Sequence, residues 1–522
     1  MKTTLMLTAA LAASAIATAG MAQTPPRATT AQGALTGTID NGVAAFLGVP
    51  FAAAPTGANR WAAPKAAANW GTKVADKYGP ACPQVLAPPG GRAQWTDEFM
   101  HPAALGTSED CLNLNIWTPA NLTSGRPSQS GLPVLVYIYG GAFNEGSNAV
   151  AVYNGANMAK KGVIFVGINY RVGPFGFLAT PELSAEQGGA SGNYGIQDQI
   201  AALRWVHDNI ATFGGDPSKV TIAGQSAGGM SVHALIASPP AKGLFRGAIV
   251  EAGGIGGTFG PKTTAETNGQ AFVGTLGTTT LADARKLTVE QVMAGKGTRG
   301  AVLADGKIIP AGGPPTPAAS DVPVLIGANL NEGGVKTVTA EAWKADLQTR
   351  YGARAADALK LYPANSDAEA KASAEQEAAD RTFITYQDFV TRRASSQPVY
   401  AYQFTHVLPG PKSAQYGAFH TSELPYVFNT LHLTVARPIT AEDRRIGDET
   451  SSYWANFVKT GNPNGGALPR WPAFNDGRQV MNLGDKPAAR SPDLDLLRSG
   501  QPPRPATPAA APAPAPAPAP AR

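Results

Sequence analysis

The sequence predicts an α/β fold, with a mostly parallel central sheet and helices on both faces. Three observations carry this. Short apolar runs that read as buried strands recur at 134–139, 163–170, 220–223, 248–251, 322–328 and 399–404. Between the second and third runs, Ile196, Ile200, Leu203, Val206 and Ile210 recur at helical spacing, predicting a helix over about 196–213. Gly (59) and Pro (44) are abundant in 522 residues, which suits a fold with many turns rather than a helical bundle. Strand–helix–strand alternation implies parallel strands covered on both faces, because a parallel crossover needs a helix-sized connection. Such sheets place ligands at the carboxyl ends of their strands, so functional groups are expected just after these runs.

In chain order, the first element is an address label. Met1-Lys2 precedes an apolar stretch over 5–19 and then Gly20-Met21-Ala22. A basic start, a short apolar run and small residues before the cut make 1–22 a secretory signal peptide, cleaved before Gln23. The run is too short and alanine-rich for a membrane span, which takes about 20 strongly apolar residues. No later stretch qualifies, and no cysteine follows the cleavage site to carry a lipid. The mature protein is therefore expected to be exported and soluble, with one globular domain over 23–500. In an oxidising compartment, Cys82 and Cys111 are expected to pair as a disulfide rather than act as thiols. Closing that loop is worth about 3–4 kcal/mol on a chain-entropy argument. The Pro/Ala-rich tail, 501–522, favours extended polyproline II structure and has no core to join; it reads as a spacer, a tether or plain solvated chain.

Composition excludes several classes of function. With 43% hydrophobic and 15% charged residues, the chain has ample core and is not disordered as a whole. A net charge of +5 without a dense Lys/Arg block is no nucleic-acid footprint. Two cysteines cannot build a zinc ribbon or an iron–sulfur cluster. No internal repeat of about 20–50 residues is present, so a solenoid or propeller is not expected.

Gly224-Gln225-Ser226-Ala227-Gly228 follows the 220–223 run and precedes a helical stretch over 230–236. A tight strand-to-helix turn strains the serine backbone and lifts its hydroxyl above the sheet edge. The flanking positions must be small, since any side chain there collides with adjoining elements. A glycine-rich phosphate or cofactor loop is the rival reading, but no Gly-Lys-Ser/Thr or Gly-x-Gly-x-x-Gly opens this helix.

A serine hydroxyl is a poor nucleophile at neutral pH and needs a base. Of six histidines, His101 and His207 precede Ser226, whereas this turn architecture orders its groups as serine, acid, histidine. His233 lies on the helix after Ser226 and reads as a packed core histidine. His406, His420 and His432 remain, and His420 sits in the turn-rich stretch 417–425 after the 399–404 run. For the acid, Glu332 closely follows the 322–328 run and is flanked by Gly333. A carboxylate there can hold imidazole in the right tautomer and stabilise imidazolium, although taken alone it reads first as an exposed loop acid. Attack on an ester also creates an oxyanion, which needs preorganised donors worth about 3–4 kcal/mol each. Gly140-Gly141-Ala142-Phe143, after the 134–139 run, offers closely approachable N–H groups, or an ordinary glycine turn.

Taken together, these segments resemble the type-B carboxylesterase/lipase family, which includes bacterial para-nitrobenzyl-type esterases and the cholinesterases. The likeness runs from about Thr36 to Phe474. It rests on Gly48-Val49-Pro50-Phe51-Ala52, Ser108-Glu109-Asp110-Cys111-Leu112-Asn113, Tyr139 to Phe143, Asn169-Tyr170-Arg171-Val172-Gly173, Gly195-Ile196-Gln197-Asp198-Gln199, Phe213-Gly214-Gly215-Asp216-Pro217 and Gly224 to Gly229. It continues through Asn329 to Gly333 and His420 to Phe428. The resemblance implies an α/β-hydrolase fold and a triad of Ser226, Glu332 and His420. It implies an oxyanion hole from the backbone N–H groups of Gly141, Ala142 and Ala227, and needs no metal or organic cofactor. It also matches Cys82 and Cys111 to an early disulfide, and Glu109 and Arg171 to a structural ion pair.

Three departures bear on specificity. Ala142 stands at the last glycine of the hole, keeping the N–H but adding a methyl near the acyl group. Gln225 stands where many relatives carry Glu, and Trp95 is not at the spacing of the cholinesterase choline-binding tryptophan. Both argue against a choline ester. The stretch 253–305 is short and glycine-rich, which leaves the pocket roof open. The implied function is an exported serine esterase acting on a small-molecule ester, with no nucleic-acid partner. Two rivals remain: a specialised hydrolase of a bulky natural ester, such as a toxin or plant-cell-wall ester, and a non-catalytic binding protein on the same fold. The second would typically have lost the serine or the histidine, and this chain keeps both.

Overall fold

The structure is a computed structural model that describes residues 24–85, 106–122, 131–254, 259–278, 280–297, 299–311, 319–393, 395–434 and 437–501. The expected signal peptide, Trp95 and the tail beyond Gln501 lie outside these residues.

Among the described residues, eleven strands form the central sheet. They are β1 (Thr38–Asp40), β2 (Val43–Pro50), β3 (Asn113–Pro119), β4 (Leu132–Ile138), β5 (Ile164–Ile168) and β6 (Gly215–Gln225). The remainder are β7 (Gly247–Glu251), β8 (Val324–Asn329), β9 (Val399–Phe404), β10 (Val480–Leu483) and β11 (Ala488–Arg490). Across the sheet they run β11-β10-β9-β8-β7-β6-β4-β5-β3-β2-β1. From β10 to β5 every pairing is parallel, and antiparallel strands close both edges. The six apolar runs all fall on β4–β9, and their central residues are buried because helices and loops cover both faces. One boundary differs: β6 starts at Gly215, where Gly-Asp-Pro reads as a turn, because Gly215 pairs with Leu132 through a register shift.

The predicted helix over 196–213 is α1 (Tyr194–Asn209), followed by a 3₁₀ turn (Ile210–Phe213) and stopped by Gly214 at φ +86°. It buries Ile196, Ile200, Leu203 and Val206, the stripe that predicted it. Helix α2 (Ala227–Ala237) is buried along nearly its whole length, packed on β6 and β7 with α1 beside it, and meets α4 (Asp367–Arg393) at Phe389. There His233 packs its ring 5.2 Å from Phe389, the core role expected of it. Burial, with the charge of Arg393 second, holds its pKa near 3. Helix α5 (Ala441–Thr460) opens with a Thr440–Asp443 capping box and buries Tyr453, Trp454 and Phe457. The glycine-rich stretch 253–305 carries α3 (Lys262–Thr275) and two shorter helices, Leu281–Ala284 and Val289–Met293. Phe272, Leu281 and Val292 pack with Trp61, Phe175 and Tyr194 in a second hydrophobic cluster.

Cys82 and Cys111 are joined in a disulfide, as expected. Among the described residues no helix is long and apolar enough to cross a membrane.

The expected Glu109–Arg171 pair is not made. Glu109 takes a bidentate bond from Arg60, at 2.7 and 2.6 Å, and Arg171 takes Asp198, with Nε and Nη2 each at 2.8 Å. All four side chains are less than 10% exposed. Placing Glu109 and Arg171 in neighbouring motifs cannot say which buried partner each one faces. That depends on the 3₁₀ turn (Gly57–Asn59) that delivers Arg60 and on the first turns of α1 that deliver Asp198.

Candidate active site

Ser226 stands between β6 and α2 at φ +57° and ψ −122°. Such a conformation costs a non-glycine residue about 1–3 kcal/mol and persists only where its surroundings hold it. Part of that hold is the Ser226 N–H, which donates to the Glu251 carbonyl at the end of β7, 2.8 Å away. The small neighbours are required as expected. A Cβ at Gly228 would lie 2.0 Å from the Ile138 oxygen, and one at Gly224 would lie 2.4 Å from the Gly228 carbonyl carbon. Ser226 is half-buried, and the next residue, Ala227, opens α2 with an N–H that has no intrahelical acceptor.

The glycine segment after β4 lies directly against this turn. A Cβ on Gly140 would come within 2.9 Å of the Ser226 Cβ. The chain then takes positive φ at three successive residues, Gly141 (+118°), Ala142 (+53°) and Phe143 (+61°). Among the described residues neither the Gly141 nor the Ala142 N–H donates to a backbone carbonyl. Successive turned N–H groups of this kind form an anion-binding concavity. Two devices brace it. Asn144 Nδ2 donates to the Ala142 oxygen at 2.6 Å, and Tyr139 stacks on Tyr170 at 4.5 Å. Each of those tyrosine hydroxyls also donates to the other's backbone carbonyl, at 2.9 and 3.0 Å.

Glu332 and His420 come together although 88 residues separate them. The Glu332 Oε2 meets His420 Nδ1, and Glu332 Oε1 accepts from the Asn329 N–H at 2.8 Å, which fixes the carboxylate plane. The loops that carry them are zipped: Asn331 N–H donates to the Ala418 carbonyl at 2.9 Å, and Ala418 N–H donates to Asn331 Oδ1 at 2.8 Å. Both side chains stay partly open, at 23% for His420 and 29% for Glu332. Burial draws the imidazole pKa down, but the hydrogen bond and charge of Glu332, with the charge of Glu423, outweigh it and raise it. Gln225, fully buried beside Ser226, places its Nε2 3.2 Å from His420 Nε2. The serine turn, the acid loop and the histidine loop therefore meet at the carboxyl ends of β6, β8 and β9.

The other histidines lie elsewhere. His406 is held between Asp443 and Asp485, at 2.9 and 2.6 Å, and His432 sits in the 3₁₀ turn Leu431–Leu433. His207 is on the exposed side of α1 against Asp208, and His101 is outside the described residues. The sequence reading missed Asn329 and Asn331 as organisers of the site. It also missed Glu251 and Glu423 as buried acids behind it. The asparagines stood in the Asn329–Gly333 motif, but nothing local says that they bond a loop some 90 residues on.

The sequence matches the Carboxylesterase family over residues 24–496. The fumonisin B1 esterase of Sphingopyxis macrogoltabida is 34% identical over 491 residues, covering 88% of this chain and 86% of that protein. The para-nitrobenzyl esterase of Bacillus subtilis is 35% identical, covering 86% and 92%. A solved PNB esterase structure superposes with a TM-score of 0.72 at 32% identity, covering 92% of this chain and all of that one. A thermophilic PNB esterase gives 0.71. A serine on a strained turn, a bent glycine loop against it and a carboxylate-held imidazole beside it therefore sit on a fold shared with enzymes that cleave esters. This chain belongs to the carboxylesterase family, has the α/β-hydrolase fold and is a carboxylic ester hydrolase.

Proposed function

We propose that the protein is an exported serine carboxylesterase working through an acyl-enzyme on Ser226. His420 Nε2 takes the hydroxyl proton as the Ser226 oxygen attacks the ester carbonyl, and Glu332 steadies the imidazolium. The N–H groups of Gly141, Ala142 and Ala227 receive the tetrahedral oxyanion. His420 then protonates the departing alcohol, and a water activated by the same imidazole releases the acid and frees Ser226. The observation that carries this reading is the Glu332–His420 contact, made beside Gln225, the residue next to Ser226. Export rests on the signal-peptide pattern and is supported by the Cys82–Cys111 disulfide.

A second reading concerns the substrate. A bulky natural ester is in line with the 34% identity to an enzyme named for fumonisin B1, which stands beside 35% identity to a para-nitrobenzyl esterase.

The test is hydrolysis of para-nitrophenyl acetate, butyrate and octanoate by the mature protein, with Ser226→Ala in parallel. Turnover by the wild type and none by the variant is expected. Octanoate preference, or turnover of fumonisin B1 alone, would select the bulky-ester reading. Labelling with an organophosphate should place the adduct on Ser226, and its absence there would overturn the serine mechanism.

A further inference from the structure

Asn144 follows the bent glycine segment and takes no part in the steps above, yet its groups hold both peptide units that flank Ala142. A peptide is planar and trans, so its C=O and its N–H point in opposite directions. The Gly141 carbonyl shares its peptide with the Ala142 N–H, and it accepts from the backbone N–H groups of Asn144 and Glu145 at 3.0 and 3.2 Å. Held there, it turns the Ala142 N–H the other way, where no backbone carbonyl among the described residues takes it. The next peptide presents the Ala142 carbonyl, whose one donor among the described residues is Asn144 Nδ2 at 2.6 Å. Ala142 sits at φ +53°, a conformation that costs alanine more than glycine and is kept only where neighbours hold it.

The Asn144 amide is itself anchored, because its Oδ1 accepts from the Gly300 N–H at 2.9 Å. A backbone N–H can only donate and a carbonyl can only accept, so one orientation of the amide serves both Gly300 and Ala142. Gly300 lies so close to the bent loop that a Cβ on it would come within 2.3 Å of the Phe143 oxygen. The chain beyond Gly300 is fixed in turn by Asn193, fully buried at the start of α1. Asn193 accepts from the Leu303 N–H at 3.0 Å and donates to the Leu303 carbonyl at 2.9 Å and to Asp305 at 2.8 Å. Leu303 and Ala304 also pair with Gly260 and Pro261, just ahead of α3.

We propose that Asn144 is a positioning residue for the oxyanion hole: its side chain locks Ala142 in the turn that presents its N–H to the oxyanion, and takes its own bearing from Gly300. Asn144 donates nothing to the substrate. Preorganised donors stabilise a developing oxyanion because they need not turn as the charge appears. Without the side chain, the Ala142 carbonyl loses its donor and the peptides beside it must be reoriented during turnover. That loss falls on the transition state rather than on substrate binding. The assignment rests on the oxyanion hole proposed above.

The test compares wild type, Asn144→Ala and Asn144→Asp in kcat/KM for para-nitrophenyl butyrate and in Ki for a trifluoromethyl ketone of similar chain length. With the ketone, the Ser226 oxygen adds to the carbonyl carbon, the C=O pair becomes an oxyanion and the serine proton passes to His420. Its Ki therefore reads the hole without a leaving group. Asn144→Ala is expected to lose about 10–100-fold in kcat/KM, mostly in kcat, and to bind the ketone more weakly by the same factor. Asn144→Asp keeps an oxygen for Gly300 but turns another onto the Ala142 carbonyl, so it should lose at least as much. A residue that only stiffens the loop would lower Tm and leave both constants at their wild-type values. That result, or a loss in kcat/KM without a matching change in Ki, overturns the proposal. If Asn144→Ala does not fold, Asn144→Asp, which is of the same size, still decides it. A wild type that the ketone does not inhibit overturns the hole itself, whereas equal inhibition of wild type and variants overturns only the role of Asn144.

Discussion

Replacing Asp198 with alanine is expected to destabilise the protein by about 3–5 kcal/mol. Arg171 and Asp198 are 2% and 0% exposed, between the end of β5 and the first turns of α1. Two guanidinium N–H bonds of 2.8 Å and one backbone N–H bond of 3.0 Å converge on this carboxylate. Alanine removes both acceptor oxygens, and with them all three bonds, and strands the guanidinium with the Ala62 carbonyl at 2.9 Å and the face of Tyr194 at 5.4 Å. Its Nη1 already lacks a hydrogen-bond partner among the described residues. Burial raises the Asp198 pKa in spite of the arginine, which marks how much solvation the pair gives up. If that reasoning holds, the double variant Arg171→Met/Asp198→Leu, which buries no charge, should lose far less than the single one. Urea unfolding midpoints of both singles and the double give the coupling energy directly. A single-variant loss below about 1 kcal/mol, or a double as damaging as the single, would refute the argument. The same cycle run on Glu109 and Arg171 should be additive within about 0.5 kcal/mol, since Glu109 belongs to Arg60.

Three further outcomes are expected. Glu332→Gln should leave the circular-dichroism spectrum intact but lower kcat on the order of 10³–10⁴-fold, because the amide cannot stabilise imidazolium; a loss below about tenfold would remove Glu332 from the triad. Ala142→Gly should relieve a φ of +53° and raise stability by up to about 1 kcal/mol, while shifting the acyl ranking towards bulkier chains; a lower Tm with unchanged ranking would contradict it. Asp443 responds to pH. Burial pushes its pKa up, but hydrogen bonds from Thr440, Tyr426 and His406 outweigh it and hold it at about 2. The folded value lies below the unfolded one, so this carboxylate contributes about 1–2 kcal/mol above roughly pH 4 that is lost as pH falls through about 2. Asp443→Asn should therefore lower Tm at pH 7 and flatten its fall in acid, measured by thermal melts across that range.

Much of the site was legible because its signals are local. A strand followed by Gly-x-Ser-x-Gly can be read without knowing what lies across the sheet, since the clash that demands Gly228 is with Ile138 of the neighbouring strand and any side chain would provoke it. Likewise the stripe on α1 announced its buried face. Glu332 and His420 were harder. Each was an unremarkable loop residue until the family pattern singled it out, because nothing in either segment encodes the other.

The sequence by itself determined the fold class, the strand runs β4–β9 and the serine turn. These follow from periodicity and backbone sterics, which act over a few residues. Only the tertiary structure decided who pairs with whom: Arg171 with Asp198 rather than Glu109, Asn329 with Glu423, and Glu251 with Trp454. Those pairings are set by which side chains share a low-dielectric interior once distant strands are docked. There the cost of leaving a charge or a polar atom unmatched, rather than any local propensity, selects the partner.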